Sequence, residues 1–451
     1  MNAVRNNAQI DAAIDAVKGR QLPGTVKALA FAGIVWGIGA FGYGLTWDKK
    51  WTWGAFLVAL VYTFAIAQGG VAFGVIMQGT QARWGRPLKR VAESFGFFLP
   101  VAWLLLVAFL IFGLPIYPWN PAYWGTPTPI APHMANAPAS KEIWLNPLFF
   151  QVRTALAVAF LILLDFLFIR NSLGGDLVLA KQRLGDAAPS WWNFFIAGRT
   201  DGKAAGEAGL ASNYTLVPFI GFTYAIVMSL IAFDLVMSLD PWWVSNMFGG
   251  WMFMSSLLMG FSTLAVFVTV GRDWLGLKSW VKPKTTHDLG RFMLAGTMFW
   301  AYTLYAQILP IYYTNVPEET SFLLIRLMLP QWGWLSRTVA VLCFIAPFTI
   351  LLSRGIKKMR YPFAGVALLS LTGFFLERSL LILPSVYFES TFPTLQFLII
   401  NVGIFAGFIG LFVLVVGGRL AQVPAVPVAD PLLFDHPWDE HIHAFGSHHG
   451  H

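Results

Sequence analysis

Charge is what this chain has least of. Asp, Glu, Lys and Arg make up 12% of its 451 residues, against 57% hydrophobic residues and a mean hydropathy of +0.63. That balance excludes a soluble globular domain and points to a polytopic membrane protein. Cysteine is almost absent. The single Cys343 lies inside an apolar run, so the chain can form no internal disulfide and hold no iron–sulfur cluster by itself. Of the eight histidines (His133, His287, His436, His441, His443, His448, His449 and His451), none falls in the middle of an apolar run. A bis-histidine haem b, or a copper or iron site within the bilayer, is thereby excluded, and no metal ligand is assigned. The first 24 residues have no apolar core, so no cleavable signal peptide is expected. The formal charge of +8 marks no nucleic-acid partner, because the basic residues gather in alternate loops.

What the sequence does have is apolar length. Ten runs, at 25–46, 52–79, 91–114, 147–170, 213–236, 246–270, 287–313, 330–353, 362–384 and 394–417, approach or exceed the ~20 residues needed to cross a bilayer. Arg83, Arg86, Lys89 and Arg90 follow the second run; Lys181, Arg183, Arg199 and Lys203 follow the fourth. Arg272, Lys278, Lys282 and Lys284 follow the sixth, and Arg354, Lys357, Lys358 and Arg360 the eighth. The intervening loops are poor in Lys and Arg, so both termini are expected in the cytoplasm, which requires an even helix count. The chain then divides into a cytoplasmic N-terminal tail (1–24), a ten-helix membrane domain (25–417) and a cytoplasmic His-rich C-terminal tail (418–451). Residues 8–19 carry apolar positions at helical spacing, consistent with a docking helix or with a disordered tail. The histidine-rich end could bind a transition metal, lie free, or dock on a partner.

The middle of the chain carries its most distinctive stretch, from Phe233-Asp234 through Asp240-Pro241-Trp242-Trp243 to Gly249-Gly250-Trp251. Asp234 falls in the last turns of the fifth run, where a carboxylate is costly. Asp240-Pro241 breaks the helix, and the tryptophans suit a membrane interface. This hairpin and the Pro-rich loop 115–146 both fall on the outer side, and the loop reads as a cover for a partner. Gln68-Gly69-Gly70 and Phe248-Gly249-Gly250 each precede a basic loop, four helices apart. That echo suggests two four-helix bundles related by a parallel repeat.

Other ionisable residues also interrupt the runs. Arg153 and Asp165 share the fourth run but lie ~18 Å apart along it, too far to pair directly. Glu377 and Arg378 interrupt the ninth; neighbouring residues point ~100° apart, so each is expected to find its partner on another helix. Glu93, His287, Asp288 and Arg291 sit at the cytoplasmic edge. Asp165, Asp234, Glu377, Arg378, Glu93 and Asp288 are therefore candidates for a proton route; the competing reading is structural ion pairs or snorkelling charges. Arg153, Asp234 and Trp242 are candidates for a quinone site at the outer face, if their helices meet.

Several stretches together resemble a known family: Arg83-Trp84-Gly85-Arg86-Pro87 through Glu93, Tyr117-Pro118-Trp119, Leu145-Asn146-Pro147 with Arg153, Ser238-Leu239-Asp240-Pro241-Trp242, His287-Asp288-Leu289-Gly290, and Asn315-Val316-Pro317-Glu318-Glu319. Over about residues 50–415 the chain is similar to the second large membrane subunit (ActF) of alternative complex III, a bacterial quinol:electron-acceptor oxidoreductase. The wider superfamily is that of the polysulphide reductase NrfD-like membrane subunits. The resemblance implies an all-α integral membrane protein of ten transmembrane helices, in two four-helix bundles plus two peripheral helices. It implies a cofactor-free subunit in the bacterial inner membrane, beside a homologous NrfD-like subunit. Partner iron–sulfur and cytochrome c subunits on the outer face would carry the iron–sulfur clusters and haem c. The task implied for this chain is proton conduction or membrane scaffolding, with a quinone pocket as an addition. A secondary transporter and a purely structural anchor are the alternatives.

Overall fold

The computed structural model describes residues 2–124, 141–387 and 391–433. His133, most of the Pro-rich loop and the tail from His436 to His451 lie outside these residues. The described residues form helices and turns without a strand, and ten helices are long and apolar enough to cross a membrane. This is a multi-pass membrane protein. The ten are α1 (Gly24–Trp47), α2 (Lys49–Gly79), α3 (Arg86–Phe112), α4 (Pro147–Ala187), α5 (Gly202–Leu239), α6 (Phe248–Val270), α7 (Pro283–Thr314), α8 (Pro330–Leu352), α9 (Arg360–Val386) and α10 (Thr394–Ala421). Each coincides with one of the ten apolar runs to within two or three residues or extends past it. Several extend beyond them, because polar end turns outside the hydrocarbon can be helical with caps or water meeting their free backbone groups.

Local signals set the helix starts. Asp48, Asn146 and Asp201 accept from backbone N–H groups in the first turns of α2, α4 and α5. Pro147, Pro283 and Pro330 occupy the first helical position, where no N–H is needed. α2 is the central helix, its spanning window entirely buried, and α6 and α9 come next. α2 packs on α3, α5, α6, α9 and α10; α4 packs between α3 and α5; α7 and α8 pack on one another and on α6 and α9 respectively; α1 lies along α10.

α2 and α6 cross at glycine. A Cβ on Gly69 would stand 2.2 Å from the Ser256 carbonyl oxygen, and one on Gly260 would stand 2.3 Å from Gly69 carbonyl carbon. Gly70 packs on Phe95 and Ala92, whereas Gly250 faces open space. The partner of Gly69 across this crossing is Gly260.

The described N-terminal segment and the end of α10 meet at the end of the bundle that carries the basic loops. Arg20 donates to the carbonyls of Leu420 (2.8 Å) and Ala421 (3.2 Å). Asp11 and Asp15 of the N-terminal helix Asn2–Asp15 bond Arg183 at 2.9 and 2.7 Å, and Ile14 and Val17 are buried. The N-terminal helix thus lies against this chain's own α4. The C-terminal segment is also placed. Residues 418–421 belong to α10, and Val423–Asp430 is buried against the bundle.

Candidate functional site

Three buried polar clusters stand out, and they differ in how completely their members are satisfied. The first lies at the end of the bundle away from the basic loops. Asp234 sits in a single π-turn, Ala232–Val236, and is fully buried. Arg153 reaches it from α4 with two nitrogens, at 2.9 Å to both carboxylate oxygens and 3.2 Å to Oδ2. Thr154 Oγ1 donates to Oδ2 at 2.9 Å and Trp144 Nε1 to Oδ1 at 3.1 Å. Arg153 in turn stacks on the Trp144 ring at 3.7 Å. The next turn is fastened by Tyr117, whose hydroxyl donates to the Leu235 carbonyl (2.9 Å), and by Trp119, which donates to that of Ser238 (3.1 Å). Lys141 Nζ donates to the Pro241 carbonyl at 2.6 Å. Both oxygens of Asp234 are occupied by five donor contacts. Of the quinone candidates, Arg153 and Asp234 meet, and Trp242 lies half-buried in the turn beyond them.

The second cluster is on α9. Arg378 bonds Glu377 directly, and both are buried. Each was expected to find a partner on another helix, and each has one; the two side chains also bond one another, because burial penalises either charge alone. Helices α6 and α7 complete the shell: Trp300 Nε1 donates to Glu377 Oε1 at 2.9 Å, and Arg378 donates to Ser255 Oγ. Arg378 Nε has no acceptor.

The third cluster runs along one face of α4. Asp165 is buried in the interior and accepts from Gln68 Nε2 of α2 at 2.7 Å; its Oδ1 has no partner. Seven residues further, Ser172 donates to Glu93 Oε2 at 3.0 Å. Arg90 joins Glu93 to Asp176 (2.6 Å), and Arg86 and Lys89 bond Asp430 at 2.7 and 3.3 Å. Asp176 also accepts from the Ala429 backbone at 2.7 Å. Burial pushes the Asp430 carboxyl up, but Lys89 and Arg86 outweigh it and hold it below the usual carboxylate value. Three cations and three carboxylates are thus nearly enclosed, a balance that makes their burial tolerable.

Sequence reasoning found Glu93 and Asp165 but not Arg86, Lys89, Arg90, Asp176 or Asp430 as one network. The first three read as loop charges and Asp430 as tail; only the spacing of Asp165, Ser172 and Asp176 on one helical face pointed at it. Asp288 stays apart: it is half-buried and pairs with its own helix neighbours His287 (3.4 Å) and Arg291 (3.8 Å). Among the described residues no group of three or more His, Cys, Asp or Glu is arranged to hold a metal ion. No family model matches the chain, and no curated protein matches it either.

Proposed function

We propose that this chain is an integral subunit of a quinol-oxidising electron-transfer complex in the bacterial inner membrane, similar to alternative complex III. In this reading it conducts protons and scaffolds the membrane part, while partner subunits carry haem c and iron–sulfur clusters. The basic end faces the cytoplasm, in keeping with the distribution of Lys and Arg.

The carrying observation is the row on α4. Asp165, Ser172 and Asp176 share a face, with Glu93 held on Ser172, so polar groups lead from the basic end to the membrane interior. Seven residues of helix are ~10 Å, so this reading requires a short chain of waters between the two groups. One carboxyl oxygen on this row, Asp165 Oδ1, has no donor, whereas Glu93 Oε1 faces Lys89 Nζ at 3.7 Å. An acidic oxygen without a fixed donor is free to take and pass a proton.

The Arg153–Asp234 pair supports the other role. With both oxygens engaged, Asp234 has no acceptor to offer a quinol, so its residues do not fit a quinol-binding acid and we derive no step through a quinone there. We read the pair as a strut that fixes the end of α5.

The same reading arranges α2–α5 and α6–α9 as two four-helix bundles in a parallel repeat, with α1 and α10 peripheral. Gly69 and Gly260 support it: each lies ten residues before the end of its helix, at Gly79 and Val270, and they touch. Equivalent positions in contact are what a two-fold axis between the bundles produces.

The test is to isolate the chain by an affinity tag from its native membrane. Co-elution of c-type haem, iron–sulfur signals and quinol-oxidising activity is expected; elution alone points to the transporter reading. In the intact complex, Asp165→Asn is expected to lower protons moved per electron while quinol oxidation persists. An unchanged ratio in Asp165→Asn and Glu93→Gln leaves only the scaffold.

A further inference from the structure

A groove of about 800 Å³ opens between α3, α4 and α10 at the basic end, beside the short helix Trp192–Ile196. Its chemistry is ordered by depth. Phe166, Val101, Leu414 and Val415 line the part nearer the membrane interior. About a turn nearer the basic end come Arg419, Gln422 and Trp191, with the Arg419 guanidinium 4.9 Å from the Trp191 ring and Trp191 Nε1 donating to Gln422 at 2.7 Å. Arg170, one turn beyond Phe166, packs its guanidinium 5.7 Å from the ring of Phe194, another lining residue. Its buried Nε has no acceptor. Arg199 adjoins Arg170 closely enough that, after burial, Arg170 is the main influence lowering its affinity for a proton.

These three arginines have no acid beside them among the described residues. Among the described residues no carboxylate lies within ion-pair distance of Arg170, Arg199 or Arg419. Elsewhere at this end Arg86, Lys89, Arg90, Arg183 and Arg360 all have one. Arg419 lines the groove itself, Arg170 packs on its lining residue Phe194, and Arg199 adjoins Arg170 and donates to the carbonyl of the lining residue Phe195. Cations so placed beside an apolar slot call for an anion with a hydrocarbon body.

We infer that the groove seats an anionic phospholipid, its phosphate among Arg419, Arg170 and Arg199 and its acyl chains along Phe166, Val101, Leu414 and Val415. A zwitterionic lipid offers the same chains with a neutral head, and a quinone offers a body without an anion, so charge selectivity separates the three. Juxtamembrane arginines each favour an anionic lipid by about fivefold.

The experiment uses the protein with whatever partners it keeps, in detergent, with phosphatidylglycerol or phosphatidylcholine added and bound lipid read by native mass spectrometry. Phosphatidylglycerol should be retained over phosphatidylcholine in the wild type, and Arg419→Gln and Arg170→Gln should each cut that preference about fivefold. The wild-type preference stands as a readout even if a variant folds poorly, and Arg419→Lys should keep it. Equal retention of both lipids overturns the inference, as does displacement of phosphatidylglycerol by a short-chain quinone. Retention by the lone chain but not by the complex also overturns it, since a partner subunit would then fill the groove.

Discussion

Arg153 and Asp234 form a two-pronged ion pair across α4 and α5, with the carboxylate fully buried and the guanidinium one-eighth exposed at its side chain, 12%. Removing one member leaves the other charged and enclosed. Arg153→Met should therefore destabilise the protein by about 3–5 kcal/mol, whereas Arg153→Met with Asp234→Leu should recover most of the loss. Thermal unfolding of the three variants in one detergent checks this. A double variant as weak as the single one would show that the pair does more than neutralise itself.

The glycine crossing makes a sharper steric prediction. Gly69→Ala and Gly260→Ala each drive a methyl into backbone of the facing helix, while Gly250→Ala meets nothing within 4 Å. The first two should lose folded yield in size-exclusion profiles and the third should match wild type. Membrane helices depend on such close approach, because no hydrophobic force pulls them together in lipid.

That contrast marks where the sequence stops being legible. The ten spans were readable, since crossing a bilayer needs only length and apolarity, properties each segment carries alone. Which glycine touches which was not: the Gly-Gly echo spoke only to a repeat, and Gly69 meets Gly260, which no sequence signal marked. The clusters behave likewise. Asp165 announces itself as a buried acid, yet its partner Gln68 lies 97 residues away. Arg86, Lys89 and Arg90 look like a solvated loop until Asp176 and Asp430 arrive from α4 and the C-terminal segment. A charge's burial depends on its partner, and the partner is a property of the fold.

The C-terminal segment should behave as part of the bundle. Asp430→Asn removes the acid shared by Arg86 and Lys89, and should cost about 3–5 kcal/mol at neutral pH. Those two cations hold the Asp430 carboxyl below its usual value of 3.8, so its contribution is complete above that value and disappears as pH falls further. The gap in unfolding temperature between wild type and Asp430→Asn should be wide at pH 7 and shrink below pH 4. A gap independent of pH would mean the loss comes from packing instead.

Arg326, on the connecting helix Pro317–Leu327, is buried without a carboxylate within ion-pair distance among the described residues, and Pro384 explains why it is kept. Proline at 384 has no N–H, so the Leu380 carbonyl one turn back loses its helical donor. Arg326 Nε donates to that carbonyl at 3.1 Å, and Nη2 donates to Leu381 O and Ser385 Oγ at 2.7 Å each. Its Nη1 donates to the Phe322 carbonyl at 3.0 Å, and the guanidinium lies 3.4 Å from the Phe322 ring. Arg326→Met should strand the Leu380 carbonyl, the one carbonyl among them with no helical donor of its own, at about 1–3 kcal/mol. Pro384→Ala restores an N–H to the Leu380 carbonyl, so Arg326→Met should cost less in that background than in wild type. A double-mutant cycle by thermal unfolding reads the difference directly. Strict additivity would mean that Arg326 acts through the Phe322 ring and Ser385, and not through the carbonyl that the proline sets free.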